Sequence, residues 1–182
     1  MVWTAPKTWV PTEAPTAANL NIHLRDNLLQ TMPALASGYS THFVTGTPHK
    51  LVERFMDSAR VNTSQTTTST SYVNLATAGP SVTVATGTTA MVFISCRLKQ
   101  NTASNDSFAS FAISGATVRS SQDSTAIQQD GAPANSFWRL GSCDIINTLT
   151  PGNNTFTMQY KADSTGTSTS TFSDRLIVVV PF

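Results

Sequence analysis

The sequence is poor in charged side chains. Only 12% of its 182 residues are Asp, Glu, Lys or Arg, about half the usual share for a soluble domain, and its formal net charge is +1. It has no run or stripe of basic residues, so we expect no nucleic-acid partner. The apolar run at residues 176–180 is much too short to cross a bilayer, so we expect no membrane partner either.

The sequence also lacks the marks of export and of a disulfide framework. Residues 1–7 contain no basic segment followed by an apolar run, so we expect no secretory signal and assembly in a cytoplasm. The two cysteines, Cys96 and Cys143, lie in strand-like runs, and neither has the spacing of a metal site. A reducing cytosol favours two buried free thiols, with a disulfide between neighbouring strands as the alternative.

Enzyme motifs are missing as well. There is no Gly-x-Ser-x-Gly elbow, phosphate loop, dinucleotide motif or His-Glu-x-x-His. The three histidines, His23, His42 and His49, all precede the β-rich part, so a Ser–His or Cys–His pair would have to bridge two parts of the chain. We therefore expect no enzyme activity, no cofactor and no metal.

The carboxylates do not change this expectation. Most aspartates of the β-rich part lie in predicted turns, where Asp normally serves the backbone geometry. Asp144 is the exception, because it lies in a strand between Cys143 and Ile145. It is a candidate for a buried, paired carboxylate, with Arg97 and Arg139 as candidate partners.

Threonine and serine take the place of the missing charges. The chain has 29 threonines and 21 serines, and 40% of its residues are hydrophobic. Threonine is β-branched and favours strands, whereas serine favours turns. Because enough apolar side chains remain to build a core, the composition argues against disorder. We expect a polar surface made mainly of hydroxyl and amide groups.

The first fifteen residues predict an extended arm. Pro6, Pro11 and Pro15 exclude a helix there. Trp3 and Trp9 are large apolar side chains on a segment that cannot form a core of its own, and burying each would contribute about 1.5–3 kcal/mol or more. They either pack back onto the following helix or dock on a neighbouring subunit or host surface.

A single helix is predicted over residues 17–31. Thr16 is a good N-cap, and Pro33 ends the helix. An isolated helix of this length is marginal in water, so it has to pack on the arm or in a trimeric helix bundle. Its apolar stripe has the spacing i, i+4, i+8 and consists of Leu20, Leu24 and Leu28.

Beyond the helix the hydrophobic period changes to two. Residues 33–49 predict a linker containing proline and glycine, and residues 50–182 predict seven to nine short strands separated by turns. We therefore predict a mainly β protein, with a single antiparallel, jelly-roll-like β-sandwich preceded by an extended arm and one short α-helix. Residues 1–32 are the anchoring arm and helix of this scheme.

The opening of the chain resembles that of many tailed-phage structural proteins. Those proteins often begin with a Trp-rich arm, a Thr-Ala-Ala step and a helix that carries Arg-Asp-Asn-Leu. The matching segments here are Trp-Thr-Ala-Pro-Lys-Thr-Trp-Val at residues 3–10, Thr-Ala-Ala-Asn-Leu-Asn at 16–21 and Arg-Asp-Asn-Leu at 25–28.

The C-terminal part resembles the closing hairpin of β-sandwich domains on phage fibres and capsid decorations. The segments concerned are Leu-Thr-Pro-Gly-Asn at residues 149–153, Phe-Thr-Met-Gln-Tyr at 156–160 and Arg-Leu-Ile-Val-Val at 175–179. Any β-sandwich could carry this second pattern, so the opening segment is the more specific of the two.

The resemblance implies a structural protein of the virion, assembled in the host cytoplasm. It would be displayed on the particle as a capsid decoration or short head fibre anchored by its N-terminus. The alternative is a tail-fibre or receptor-binding protein that recognises host surface glycans. The family also implies oligomers, so the expected partners are two further copies in a homotrimer and other virion proteins, such as the major capsid or tail protein.

Three polar residues beyond the middle of the helix complete the predicted anchor. Asp and Asn are mediocre helix formers, so bonds from their side chains to nearby backbone would explain their presence. We hypothesise that Asp26 accepts from N–H groups of the arm and that Arg25 pairs with a carboxylate, which would fix the arm on the helix. A solvated helix face is the alternative. The predicted anchoring residues are Trp3, Trp9, Leu20, Leu24, Arg25, Asp26, Asn27 and Leu28.

A glycan site, the mark of the alternative function, would use exposed aromatic rings beside polar groups. Tyr72 and Trp138 are the candidates. Trp138 follows Phe137 in a strand, which favours a place in the core. Weak single sites could still bind well through several linked copies.

Overall fold

The computed structural model describes residues 7–28, 36–38, 41–47, 50–162 and 168–182. Two compact units make up the chain, Met1–Phe55 and Met56–Phe182. The protein is mainly β, with 52% of its residues in strands and 9% in helical turns, and its sheets are antiparallel. The predicted fold class is therefore confirmed.

The first unit contains the predicted helix. It begins with an α-helical turn, α1 (Ala17–Leu20), continues as a π-helical turn (Asn21–Arg25) and returns to α-helix in α2 (Asp26–Leu28). The Thr16 hydroxyl accepts the N–H of Asn19 at 3.2 Å, so the predicted N-cap is confirmed. The predicted end of the helix lies outside the described residues.

The first unit also contains a hairpin where the sequence predicts a linker. Strand β1 (Thr41–Thr47) pairs antiparallel with β2 (Lys50–Phe55), and the pairing is irregular around Gly46. The linker assignment for residues 33–49 was therefore wrong for the part that forms β1. Alternating β-branched and aromatic residues in this stretch favour a strand, and this preference outweighs the neighbouring glycine and proline.

The second unit is built from nine strands within the described residues, with one short 3-10 turn at Asp123–Thr125. Its strands are β3 (Asp57–Val61), β4 (Gln65–Thr67), β5 (Ser81–Thr86), β6 (Ala90–Gln100), β7 (Ser107–Gly115), β8 (Ile127–Gln129), β9 (Trp138–Ile146), β10 (Gly152–Ala162) and β11 (Ser170–Pro181).

These strands form two antiparallel sheets. One has the order β3-β11-β6-β9, with β4 also paired to β11, and the other has the order β5-β10-β7-β8. With β4 set aside, the eight remaining strands, counted along the chain, have the spatial orders 1-8-3-6 and 2-7-4-5. This alternation between two sheets is the connectivity of a jelly roll, as the sequence predicts.

The core lies between the two sheets. Along β6 and β10 every second residue is buried, which is the strand periodicity expected for one face turned inward. Fully burying one large apolar side chain contributes about 1.5–3 kcal/mol. The largest contributors include Ile94, Leu98, Phe111, Phe156, Met158, Tyr160, Phe172 and Ile177.

A β-bulge in β11 places a cation in this interior. The pairing with β6 jumps from Ser173↔Arg97 to Leu176↔Ser95, so Asp174 and Arg175 together lie opposite Cys96. The φ angle of Asp174 is +49°, and the extra residue turns Arg175 inward, where it is completely buried.

Four hydrogen bonds from Arg175 hold the segment that precedes β5. Its guanidinium donates to the carbonyls of Thr77 and Gly79 at 3.2 Å, and to side-chain oxygens of Thr63 and Gln65 at 3.3 and 3.2 Å. The segment from residue 63 to 79, which includes Tyr72, is thereby fixed on the sandwich.

Candidate functional site

The predicted apolar stripe of the helical segment is exposed. Leu24 and Leu28 keep 56% and 65% of their surface accessible, and Leu20 and Trp9 keep about 40% each, at 39% and 40%. The π-helical turn Asn21–Arg25 carries Leu24, and such turns are often found at functional sites. Apolar surface in contact with water is unfavourable, so this stripe favours a covering partner.

A cation lies beside Trp9 in the arm. The Lys7 ammonium is 4.8 Å from the centroid of the Trp9 ring and is paired with the Glu13 carboxylate. The hydrogen bond from Lys7 holds the pKa of Glu13 below its usual value, and the Glu13 N–H donates to the carbonyl of Val10 at 3.1 Å. The other arm tryptophan, Trp3, lies outside the described residues.

The polar trio of the helix makes local hydrogen bonds. Arg25 Nε donates to the Asp26 carboxylate at 2.8 Å, and Arg25 Nη2 lies at the same distance from it. The side-chain amide of Asn27, a buried residue, donates to the carbonyl of His23 at 3.2 Å. Asp26 is thus paired with its neighbour and not, as hypothesised, with an N–H group of arm residues 7–15. A role of the trio in attachment stays a prediction.

Part of the outer face of the five-stranded sheet is apolar. Strands β6, β9 and β11 turn alternate residues away from the core, and the pairing sets these residues side by side. Phe93 and Ile145 are the most exposed, at 40% and 64%. This surface, the apolar face, consists of Met91, Phe93, Cys143, Ile145, Leu176, Val178 and Val180.

A shallow depression lies at the end of the apolar face that borders Ser95 and Gly141. Its volume is about 380 Å³, and Phe93, Cys143 and Leu176 are among the residues that line it. Gly141 also lines it, and a Cβ there would lie only 3.1 Å from the carbonyl oxygen of Ile94. The absence of a side chain at Gly141 keeps this part of the depression open.

The cysteines lie on opposite faces of this sheet. Both are free; Cys96 is buried in the core, and Cys143 is exposed on the apolar face. The prediction of two buried thiols was therefore right for Cys96 and wrong for Cys143. Burial raises the pKa of the Cys96 thiol above its usual value. Although their strands are neighbours, the two side chains point in opposite directions.

Aromatic and cationic side chains meet at one end of the same sheet. The guanidinium of Arg97 lies 4.6 Å and the ammonium of Lys99 5.0 Å from the centroid of the Phe137 ring. Trp138 follows and is 50% exposed, so its predicted place in the core was wrong. The reason is topological, since β9 is the edge strand of its sheet and Trp138 opens it.

The outer face of the four-stranded sheet has the opposite chemistry. Hydroxyl groups of neighbouring strands are hydrogen-bonded to each other, Ser81 to Thr157 and Thr83 to Thr155, both at 2.8 Å. This sheet face therefore meets the expectation of a hydroxyl-rich surface.

A polar groove crosses this second face. Its floor is formed by residues of β7 and β10, including Gln159 and Lys161, and its walls are residues 70–72 and 118–123. The Tyr72 hydroxyl donates to Asp123 Oδ1 at 2.8 Å, and the Lys161 ammonium donates to Asp123 Oδ2 at 2.8 Å. We call this depression, of about 860 Å³, the Tyr72 groove.

Lys161 is the centre of the groove's electrostatics. Its ammonium lies over two aromatic rings, 5.1 Å from the centroid of Tyr72 and 4.4 Å from that of Phe108. The hydrogen bond from Lys161, with a second one from Tyr72, holds the pKa of Asp123 below its usual value. Burial, with the bond to Asp123, raises the pKa of the Tyr72 hydroxyl, which therefore stays protonated and donating.

The strand carboxylate Asp144 is half-buried at the sheet edge. It forms no ion pair within 4.0 Å among the described residues, and Arg97 pairs instead with Asp174 at 3.5 Å. The Asp144 charge acts on Arg119. Burial lowers the pKa of the Arg119 guanidinium, and the charge of Asp144 partly opposes that shift. In the described part of the chain, no group of three or more His, Cys, Asp and Glu side chains is placed to hold a metal ion.

No model of a known protein family matches this chain, and no curated protein matches it either. Within the described residues, none of the helices is long and apolar enough to pass through a membrane.

Sequence reasoning missed the apolar face and most of the groove. A signal for the apolar face was present, because the runs at residues 91–94 and 176–180 are apolar at every position. A strand that is apolar at consecutive positions has two faces to bury, and one sandwich core covers only one of them. Asp123 and Lys161 gave no signal, since they meet only through the fold.

Proposed function

We propose that the chain is a structural protein of a phage particle, held by its N-terminal segment and displayed on the particle as a capsid decoration or short head fibre. The observation that carries the proposal is the exposed apolar stripe of Leu20, Leu24 and Leu28 on a short helical segment beside an exposed Trp9. Each leucine is already partly covered, so docking would contribute about 1 kcal/mol for each of them.

The apolar face supports self-association. A contiguous apolar patch on a soluble domain usually marks an interface, and this one lies on the unit that carries no anchor. We propose that copies of the chain meet through the apolar face in a homotrimer. Three linked anchors would then bind a particle much more tightly than one.

The jelly roll is compatible with a role as a capsid decoration and with glycan recognition. The connectivity occurs in viral capsid domains and also in lectin domains, so the fold alone favours neither function.

The anchoring proposal is tested by the copy number of the chain in assembled particles. The variant carries Leu24→Gln and Leu28→Gln, two exposed positions where the fold should tolerate polar side chains. We expect incorporation, measured by quantitative mass spectrometry, to fall about tenfold or more, because about 1.4 kcal/mol corresponds to a factor of ten.

The control for this test is Val118→Gln. Val118 is an apolar residue that is 86% exposed in a loop of the second unit, so the change removes exposed apolar surface far along the chain from the anchor. It should leave incorporation unchanged. Normal loading of the double leucine variant, with an unchanged circular dichroism spectrum, would refute the anchoring role.

The homotrimer is tested by light scattering of the purified chain. Ile145→Lys places a charge on the apolar face at its most exposed residue, where a partner would have to desolvate it. We expect the mass to fall from three copies to one at micromolar concentration, while Val118→Lys leaves it unchanged. A monomeric wild-type chain would contradict the proposal.

The second candidate function is recognition of host surface glycans by a tail-fibre protein, and the Tyr72 groove is the observation that favours it. Location separates the two functions. Electron microscopy of particles labelled on this chain should show signal on the capsid if the chain is a decoration, and at the tail if it is a fibre.

A further inference from the structure

We infer that the Tyr72 groove is a binding site for a neutral oligosaccharide. This inference rests on the second candidate function, glycan recognition, and is independent of how the chain is anchored. The groove lies on the hydroxyl-rich face of the sandwich, on the opposite sheet from the apolar face. Its volume of about 860 Å³ falls within the range of small-molecule sites, about 300–1,000 Å³.

The polar groups of the groove are fixed before any ligand arrives. Asp123 is held from two sides, by the Tyr72 hydroxyl and by the Lys161 ammonium. From the wall, the Ser121 hydroxyl donates to Oε1 of Gln159 on the floor at 2.8 Å, and this bond orients the Gln159 amide. Groups held in this way lose little conformational freedom on binding, so their hydrogen bonds to a ligand are stronger on balance.

The two central charges of the groove compensate each other. Lys161 is paired with Asp123, and its ammonium also lies over two aromatic rings. The guanidinium of Arg119, the other cation among the lining residues, lies 5.2 Å from the centroid of the Phe111 ring and donates to Thr125 at 3.4 Å. The central Lys161–Asp123 pair carries no net charge, and the groups that hold Arg119, Thr125 and Phe111, do not line the groove, so the centre of the groove favours an uncharged ligand over a strongly anionic one.

The remaining groups match the chemistry of a sugar. The Asp123 side chain is 62% exposed and can accept hydrogen bonds from ligand hydroxyls, and the NH₂ of Gln159 can donate to them. Tyr72 adds an aromatic ring, against which the apolar face of a sugar ring can pack. An extended, hydroxyl-rich and uncharged ligand satisfies all three groups at once. A neutral oligosaccharide is the ligand class with these properties.

The test begins with the full-length chain on an array of purified bacterial polysaccharides, both neutral and acidic. The best-bound glycan is then titrated against labelled protein, and its site is mapped by NMR shift changes. We expect binding to a neutral glycan, unchanged between low and high salt, with the largest changes at the groove residues.

Two variants and two matched controls locate the site. Tyr72→Ala and Gln159→Ala should each weaken binding about tenfold, a loss typical of removing one central contact. Trp138→Ala removes the other exposed aromatic candidate, and Thr83→Ala removes a hydroxyl from the same sheet face outside the groove. Both should bind as the wild type does.

The outcomes separate the site from the function. Binding that is lost with Trp138→Ala, or shift changes that map outside the groove, would overturn this site while glycan recognition survives. Failure of every polysaccharide to bind would overturn both. Binding only to acidic glycans, weakened by salt, would overturn the assignment of a neutral ligand.

Discussion

Truncating the buried Arg175 should destabilise the β-sandwich far more than truncating an exposed arginine of the same sheet. In Arg175→Ala the removed methylene groups account for about 2 kcal/mol, at about 0.8 kcal/mol each. Two acceptors keep a second donor, since Gly79 also receives the Tyr160 hydroxyl and Gln65 the N–H of Thr77. The carbonyl of Thr77 and the hydroxyl of Thr63 lose the donor that Arg175 supplies.

The expected loss follows from these two terms. A buried acceptor without a partner costs about 1–3 kcal/mol, and water at the loop will satisfy part of that. Relief of the desolvated charge offsets a further part, so we expect Arg175→Ala to cost about 3–5 kcal/mol. Arg175→Met retains much of the stem and should cost about 1–3 kcal/mol. The control is Arg97→Ala, which breaks a partly exposed pair with Asp174 and should cost about 0–1 kcal/mol.

The assay is urea unfolding of the full chain, monitored by hydrogen exchange. Peptides from β10 and β11 are measured because they report on the second unit alone. The free energy of unfolding is compared between the variants. If Arg175→Ala and Arg97→Ala agree within about 1 kcal/mol, the bonds of the buried guanidinium contribute nothing, and the explanation of how residues 63–79 are fixed is wrong.

Three further predictions concern the groove, the thiols and a turn. Lys161→Met should raise the pKa of Asp123 toward its usual value. A ¹³C NMR titration of the Asp123 carboxyl measures this pKa. In the folded chain the pKa of Asp123 is lower than in the unfolded chain, where it is about 3.9. The stability that the bond from Lys161 to Asp123 contributes is therefore fully present above about pH 3.9, and it disappears as the pH falls through the folded pKa. Mass spectrometry after iodoacetamide treatment of the Ile145→Lys chain, in which the apolar face is free, should find Cys143 modified in the folded state and Cys96 only after unfolding, because exposure and burial decide access to the thiol. Gly115→Ala should lower the melting temperature, because Gly115 has φ +102° and a Cβ there would collide with a carbonyl oxygen of β10. We expect this strain to cost about 1–2 kcal/mol or more. An unchanged melting temperature would contradict the geometry.

Local signals predicted the parts of the fold that depend on neighbours in sequence. The Thr16 cap marks the start of the helix, and alternation marks strands such as β5 and β10. Strand β8 was not predicted because a three-residue strand carries too little pattern. The bulge at Asp174 was hidden for a different reason. It shifts the alternation of β11 by one residue at Arg175. A charged residue in a strand is expected to face solvent, yet the bulge turns Arg175 into the core.

Placement within the sheet could not be predicted from the sequence. Trp138 and Cys143 look like core residues in a strand-like run, but Trp138 opens an edge strand and Cys143 points away from the core. The Tyr72 groove depends on placement even more strongly. Its three central residues, Tyr72, Asp123 and Lys161, come from three distant segments, and only the sheet order brings them within hydrogen-bonding distance.

The opposite chemistry of the two sheet faces makes assembly and recognition compatible in one small domain. The apolar face belongs to β6, β9 and β11, and the groove to β7, β10 and their neighbouring loops, with the core between them. A partner that covers Phe93 and Ile145 therefore leaves Tyr72 open to solvent. Had both features shared one sheet, association would have buried the groove, and a glycan would compete with the subunit contact. Because they lie on different sheets, each copy added to the proposed homotrimer would contribute one more free groove.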